Sequence, residues 1–142
     1  MNSQIKIHII SQYFYPDVAA TGQLLTELSI GLCRLNCKVV VLTAQPSYSG
    51  NTKTISIEGM DGVTIYRLWA TRFNKNSLFG RITNSIVFFL SVFSSLLIHP
   101  DDSILMLVSN PPFLPIIGYI FSILKKTQII YLKFIGIFIM RR

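Results

Sequence analysis

The residues best suited to chemistry lie where an apolar run gives way to a helix, at Thr21 and Gly22. A Thr hydroxyl at a helix N-cap accepts a hydrogen bond from a backbone N–H one turn in. A glycine beside it lets the backbone come close to a ligand. The open N–H groups of a helix start, with the positive end of the dipole, suit phosphates and other anions. The plainer alternative is a well-capped helix start that holds nothing. A dinucleotide site fits less well. No G-x-G-x-x-G is present, and the second apolar run ends in Thr43-Ala44-Gln45-Pro46, without the acid that would hold a ribose.

A second candidate, Ser109-Asn110-Pro111-Pro112-Phe113, follows a later apolar run. In a doubly wound sheet the loops after strand ends meet in one crevice, which would bring Ser109 and Asn110 toward the first loop. Otherwise the proline pair merely opens the next helix, where a missing N–H costs nothing. The remaining reactive side chains offer less. Cys33 and Cys37 are four residues apart and lack the second pair a closed zinc site needs, so they read as reduced packing thiols. His8 falls in a strand and His99 beside Pro100, and both read as structural. No metal cluster, Ser-His-Asp set or Cys-His pair stands out, and neither metal nor cofactor is expected.

The elements that would position these residues follow from periodicity. Ile5, Ile7, Ile9 and Ile10 make a buried strand ahead of a Pro-bearing loop, Ser11 to Thr21. From Gly22 the steps Leu24, Leu28, Leu32 and Leu35, with Leu25 beside them, predict one apolar helix face. Val39 to Leu42 is a second strand, and two such strands joined by a helix are a βαβ unit that starts a parallel sheet. A polar loop, Ser47 to Thr54, precedes two short alternating runs, Ile55–Ile57 and Val63–Leu68. Asp61-Gly62 between them signals a hairpin or extra strand. Trp69 to Arg72 then leaves the sheet in a basic loop with Lys75 and Arg81, which reads either as an acceptor or lipid-headgroup contact or as a solvated loop.

Residues 82–98 carry no charge, and as a helix they would fall a little short of a hydrocarbon core about 30 Å thick. Residues 103–124 are uncharged too. Their prolines divide them into a strand, Ile104 to Val108, a loop, and a helix, Phe113 to Leu124, with a last strand at Gln128 to Leu132. The rival reading is a pair of transmembrane hairpins. The mid-run prolines favour a cytosolic domain with one helix lying against the membrane.

At 142 residues the chain has room for one cored domain. Its mean hydropathy of +0.52 is high for a freely soluble domain. Thirteen Lys and Arg against six acids give a charge of +7, which suits anionic partners. Basic and apolar together point to a membrane surface. Nucleic acid ranks last, because the charge is thinly spread and follows no nucleic-acid motif. No secretory signal peptide opens the chain, so the cytoplasmic side, peripheral on the inner face of the cytoplasmic membrane, is the expected location.

Three stretches together resemble a known family: Ile9-Ile10-Ser11-Gln12-Tyr13-Phe14-Tyr15-Pro16-Asp17, Thr21-Gly22-Gln23-Leu24-Leu25-Thr26-Glu27-Leu28, and Val39 to Tyr48. They look like the N-terminal domain of a GT-B glycosyltransferase of the group 1 (family 4) type, from bacterial surface-polysaccharide clusters. The resemblance covers about residues 4–131 and is most specific over the first fifty. It implies a doubly wound, Rossmann-like α/β domain over residues 1–132, followed by an aberrant tail at 133–142, with the second, donor-binding domain of the family missing. The segment after Asp-Gly-Val would be the third strand of the sheet. The chain departs from the pattern with Asn36-Cys37 where Gly-His is usual, and with Ala19-Ala20 where a glycine pair is common.

The implied activity is sugar transfer from a nucleotide-sugar to a lipid-linked or polysaccharide acceptor in O-antigen or capsule assembly, with the isolated chain inactive. Thr21, Gly22 and Gln23 would supply this domain's share of diphosphate stabilisation, Asp17 an acceptor-side contact or a loop-ordering hydrogen bond, and Ser109 and Asn110 the cleft lining. The other reading is a non-catalytic, membrane-associated binding module, or a partner for a separate donor-binding domain.

Overall fold

The computed structural model of the chain describes residues 4–17, 20–45, 56–71, 73, 77–98, 103–108, 113–125, 127–133 and 136–140. Among them the elements run β1 (Lys6–Ser11), α1 (Ala20–Arg34), β2 (Lys38–Ala44), β3 (Ser56–Met60), β4 (Val63–Leu68), α2 (Leu78–Ile98), β5 (Ile104–Val108), α3 (Leu114–Lys125), β6 (Ile129–Lys133) and β7 (Gly136–Met140). One sheet forms in the order β3-β4-β2-β1-β5-β6-β7. Its five inner strands are parallel, and β3 and β7 close the edges antiparallel. Ile9 sits beside Val41 on one flank and beside Met106 on the other.

Parallel strands covered on both faces need apolar side chains in both directions, which is why β1, β2 and β5 read as near-continuous apolar runs. Ile10, Val40, Leu42, Leu105 and Leu107 point to the face covered by Phe88, Val92 and Leu96 of α2 and by Leu114, Ile117 and Phe121 of α3. Ile7, Ile9, Val39, Val41, Ile65 and Met106 point to the face covered by α1 through Leu25. Helices on both faces of a mostly parallel sheet make this a doubly wound, Rossmann-like α/β domain.

The inward side of α1 differs from the expected leucine face. Gly22, Leu25 and Ser29 are buried, whereas Leu24 is 57% exposed and Leu28 and Leu35 are exposed as well. The buried Ser29 hydroxyl is satisfied by donating to the Leu25 carbonyl at 2.6 Å. Leu32 is only half-buried.

The end of α1 explains the Asn36-Cys37 departure. Asn36 adopts a left-handed φ of 64°. The Cys37 N–H donates to the Leu32 carbonyl at 3.1 Å and the Asn36 N–H to the Cys33 carbonyl at 2.9 Å. That pair of bonds is a Schellman cap, usually built on glycine, and asparagine is the side chain that best tolerates its backbone. Both cysteines are free thiols, half-buried against the α1 side of the core.

Asp61 and Gly62 take φ values of 47° and 86°, as a two-residue hairpin turn of type I′ requires. They join β3 to β4 with Met60 opposite Val63. The uncharged 103–124 run divides as its prolines indicate, into β5 and α3, the helix starting at Leu114 rather than Phe113. The expected loop at Ser47 to Thr54 and His99 lie outside the described residues. Within the expected tail, Gly136–Met140 pairs with β6, Ile130 opposite Ile139.

Beside α3, the Tyr131 hydroxyl donates to the Pro115 carbonyl at 2.8 Å. Burial pushes this phenol above its usual value of 10.0. A raised folded-state pKa means that the unfolded chain releases the proton first. Stability is therefore expected to hold up to about pH 10 and to fall above it. Urea midpoints measured from roughly pH 8 to 11 should show this decline, and Tyr131→Phe should make it shallower.

Candidate functional site

The strand order places a topological switch between β1 and β5. From β1 the chain moves through α1 to β2 on one flank, and later returns to β5 on the other. Loops leaving neighbouring strands in opposite directions open a crevice at the carboxyl ends, where ligands of open α/β sheets bind. The two sequence candidates belong to these two loops. Asp17, Thr21, Gly22 and Gln23 follow β1, while Ser109 and Asn110 follow β5, whose Leu107 lies beside Ile10. Ser109 and Asn110 themselves lie outside the described residues.

The first loop is tightly built. Ser11 Oγ donates to the Tyr13 carbonyl at 2.9 Å. The Asp17 N–H donates to the Phe14 carbonyl at 2.9 Å, closing a turn that contains a cis Tyr15–Pro16 peptide. Phe14 is fully buried and anchors the loop in the α1-side core. Asp17 is buried too.

Two expectations about the helix start change. α1 already includes Ala20, so Thr21 falls in its first turn rather than at the cap. The space beside Gly22 is taken by the chain itself: a Cβ there would lie 3.0 Å from the Asp17 carbonyl oxygen and 3.5 Å from the Phe14 carbonyl carbon. The glycine thus lets the helix sit on its own loop, which sets the position of the neighbouring amides. Thr21 is half-buried and Gln23 exposed.

Cationic side chains gather around this loop. Burial raises the Tyr13 phenol, the Asp17 carboxylate adds to the rise, and the Arg81 guanidinium opposes it. Tyr13, Asp17 and the first turn of α2 therefore share one electrostatic neighbourhood. None of the three helices α1, α2 and α3 carries an acid in its first turn. All three follow parallel strands, so their positive ends collect on the carboxyl side of the sheet with no carboxylate of their own to offset them.

The chain leading into α2 is held by Asn84. Its Oδ1 accepts from the Thr71 hydroxyl at 2.8 Å and from the Phe73 N–H at 3.1 Å. Its Nδ2 donates to the Phe73 carbonyl at 3.1 Å. Such a clamp fixes the approach of Arg81, three residues earlier, to the first loop.

Sequence reasoning missed Arg67. It lies near the carboxyl end of β4 and is 3% exposed. Its Nε and Nη2 grip the Glu58 carboxylate at 2.9 and 2.8 Å, and Nη2 also donates to the Tyr15 carbonyl at 2.8 Å. Nη1 is buried without a hydrogen-bond partner among the described residues. A signal was available: Val63, Ile65 and Arg67 share the inward parity of an alternating strand, so an Arg there must be buried and paired.

No family model matches this sequence, and no curated protein sequence matches it. Among solved structures, sucrose-phosphate synthase from Thermosynechococcus elongatus, a GT-B glycosyltransferase, superposes with a TM-score of 0.65 at 12% identity, over 90% of this chain and 32% of that one. The likeness shows the fold: the chain has the architecture of a Rossmann-like GT-B N-terminal domain and spans about a third of that neighbour.

Proposed function

We propose that this chain is the acceptor-side domain of a family 4 type glycosyltransferase of surface-polysaccharide assembly, passing sugar from a nucleotide-sugar to a lipid-linked acceptor. The observation that carries the reading is that three acid-free helix starts lie on the carboxyl side of a GT-B-like sheet, the second of them bringing Arg81 into the electrostatic neighbourhood of Tyr13 in the loop after β1. Sugar transfer from a nucleotide diphosphate needs its leaving charge stabilised, and helix amides with a guanidinium supply that without a protein nucleophile. In this reading the first turn of α1, from Thr21 to Gln23, and Arg81 face the diphosphates, Asp17 holds the loop and the acceptor side, and Ser109 and Asn110 line the opposite wall. As the family resemblance implies, the nucleotide of the donor is held by a second domain.

A membrane-bound acceptor agrees with the surface of α2. This helix of 21 residues is long and apolar enough to cross a membrane by length and composition. Here its Phe88, Val92 and Leu96 side packs on the sheet, while Phe79, Ile82, Ile86 and Leu90 on the other side are exposed. Together with the charge of +7, that stripe suits the inner face of an anionic cytoplasmic membrane.

Sedimentation with phosphatidylglycerol–phosphatidylethanolamine vesicles, with and without a polyprenyl-diphosphate-linked sugar, tests both parts. The chain is expected to bind plain vesicles and to bind about tenfold more tightly when the glycolipid is present. Arg81→Gln should remove that gain, and Phe79→Ser with Leu90→Ser should remove the basal binding. Equal binding to both vesicle types would overturn the acceptor assignment.

A further inference from the structure

Arg67 lies outside the diphosphate-binding groups proposed above, yet one of its bonds reaches the loop that carries them. In the sheet β2 stands between β4 and β1, with Thr43 of β2 beside Arg67. The Nη2 bond to the Tyr15 carbonyl, 2.8 Å long, therefore joins β4 to the loop after β1 across an intervening strand. Glu58 grips the same guanidinium through Nε and Nη2, so the group is fixed as it makes that bond. Arg67 is almost wholly buried, which strengthens each of these contacts.

The loop's other bonds act within it. Ser11 with Tyr13, and Asp17 with Phe14, close turns and set its shape. The Phe14 ring fixes one point in the core, and a turn held at one point can still pivot. The Thr43 hydroxyl donates to the Gln12 carbonyl, but at 3.5 Å that bond is weak. A charge-assisted donor on the carbonyl of Tyr15 supplies a second fixed point. The first turn of α1 inherits the position, because Gly22 sits against the Asp17 and Phe14 backbone.

We propose that Arg67 is a positioning residue for the acceptor site: it holds the turn at Tyr15 so that Tyr13, Asp17 and the first amides of α1 keep their places. The ligand here rests on the glycosyltransferase reading; the tether does not. Two measurements on the full chain keep the two apart. In the vesicle assay, Arg67→Met is expected to bind plain vesicles as the unaltered chain does. It should lose most of the roughly tenfold gain given by the glycolipid. The second measurement is the titration of Tyr13, followed by NMR on ring-labelled tyrosine and assigned through Tyr13→Phe. Burial and Asp17 hold that phenol above 10.0, so a turn released from Arg67 should let it fall toward that value.

Ile129→Ala is the control for lost stability alone, since it opens a core cavity at the start of β6, away from the loop. It should keep both the glycolipid gain and the raised Tyr13 phenol. Arg67→Lys carries the same test if Arg67→Met does not fold. A single ammonium stays with Glu58 and offers no fork for Tyr15, so both readouts should again be lost. A Tyr13 titration unmoved in the folded Arg67 variant would overturn the proposal. So would a full glycolipid gain in that variant, or the loss of either readout in Ile129→Ala. If the unaltered chain shows no gain, the acceptor reading falls and the Tyr13 titration alone decides the tether.

Discussion

Glu58→Ala is expected to lower the stability of the domain by about 3 kcal/mol, and Arg67→Met by clearly less. The order is the informative part. Arg67 is nearly fully buried while its partner is 46% exposed, so the two ends of this ion pair are not equivalent. Removing Glu58 strips two charge-assisted bonds from a guanidinium that stays buried, leaving it only the Tyr15 carbonyl. Removing Arg67 takes the buried charge away with it and also abolishes the cost of the unpaired Nη1, which is about 1–3 kcal/mol. Glu58, left behind by Arg67→Met, can hydrate.

Urea unfolding of both single variants and the double variant, read as a cycle, separates the pair energy from desolvation. If Arg67→Met proves the more damaging change, Arg67 contributes chiefly through its bond to Tyr15. The first loop would then depend on β4 more than on its own turn.

Much of this fold is legible in the sequence because burial on both faces leaves a coarse signature. Val39 to Leu42 and Ile104 to Val108 are apolar in succession, and only a covered parallel strand tolerates that in a short run. Asp61-Gly62 was equally readable, since few dipeptides accept two successive positive φ values. The inward side of α1 was not. Four leucines at helical spacing outline a stripe, yet the buried positions are Gly22, Leu25 and Ser29, and at Gly22 it is close approach to the Asp17 and Phe14 backbone, not apolar area, that requires the residue.

The same limit applies at the crevice. The turn around Thr21 and Gly22 can be found from residue types, but its link to Arg81 depends on α2 returning to the first loop from more than fifty residues away. Arg67 shows the converse. Its inward parity was on view in the strand, and only its partner on the preceding strand was hidden, because hairpin register fixes which side chains meet across it.

Two substitutions of identical chemistry should act in opposite directions. Gly118→Ala is expected to destabilise the domain by about 2 kcal/mol and Gly118→Val by about 3 kcal/mol or more, whereas Gly31→Ala should stabilise it by about 0.5–1 kcal/mol. Both glycines lie within helices, where alanine is the better helix former. They differ in what surrounds them. A Cβ at Gly31 meets nothing within 4 Å, while one at Gly118 would collide with the side chains of Leu107 and Tyr131 and press on Ile129 at 3.3 Å.

Leu107 belongs to the fully buried core and cannot withdraw without opening β5. Tyr131 cannot withdraw without losing its bond to Pro115. The methyl group at position 118 therefore acts on β5, α3 and β6 together, and the overpacking term exceeds the gain in helix propensity. Thermal or urea midpoints of the three variants decide the matter. A stabilised Gly118→Ala would mean that α3 can lift from the sheet at little cost. The wall of the crevice that follows β5 would then be compliant rather than fixed.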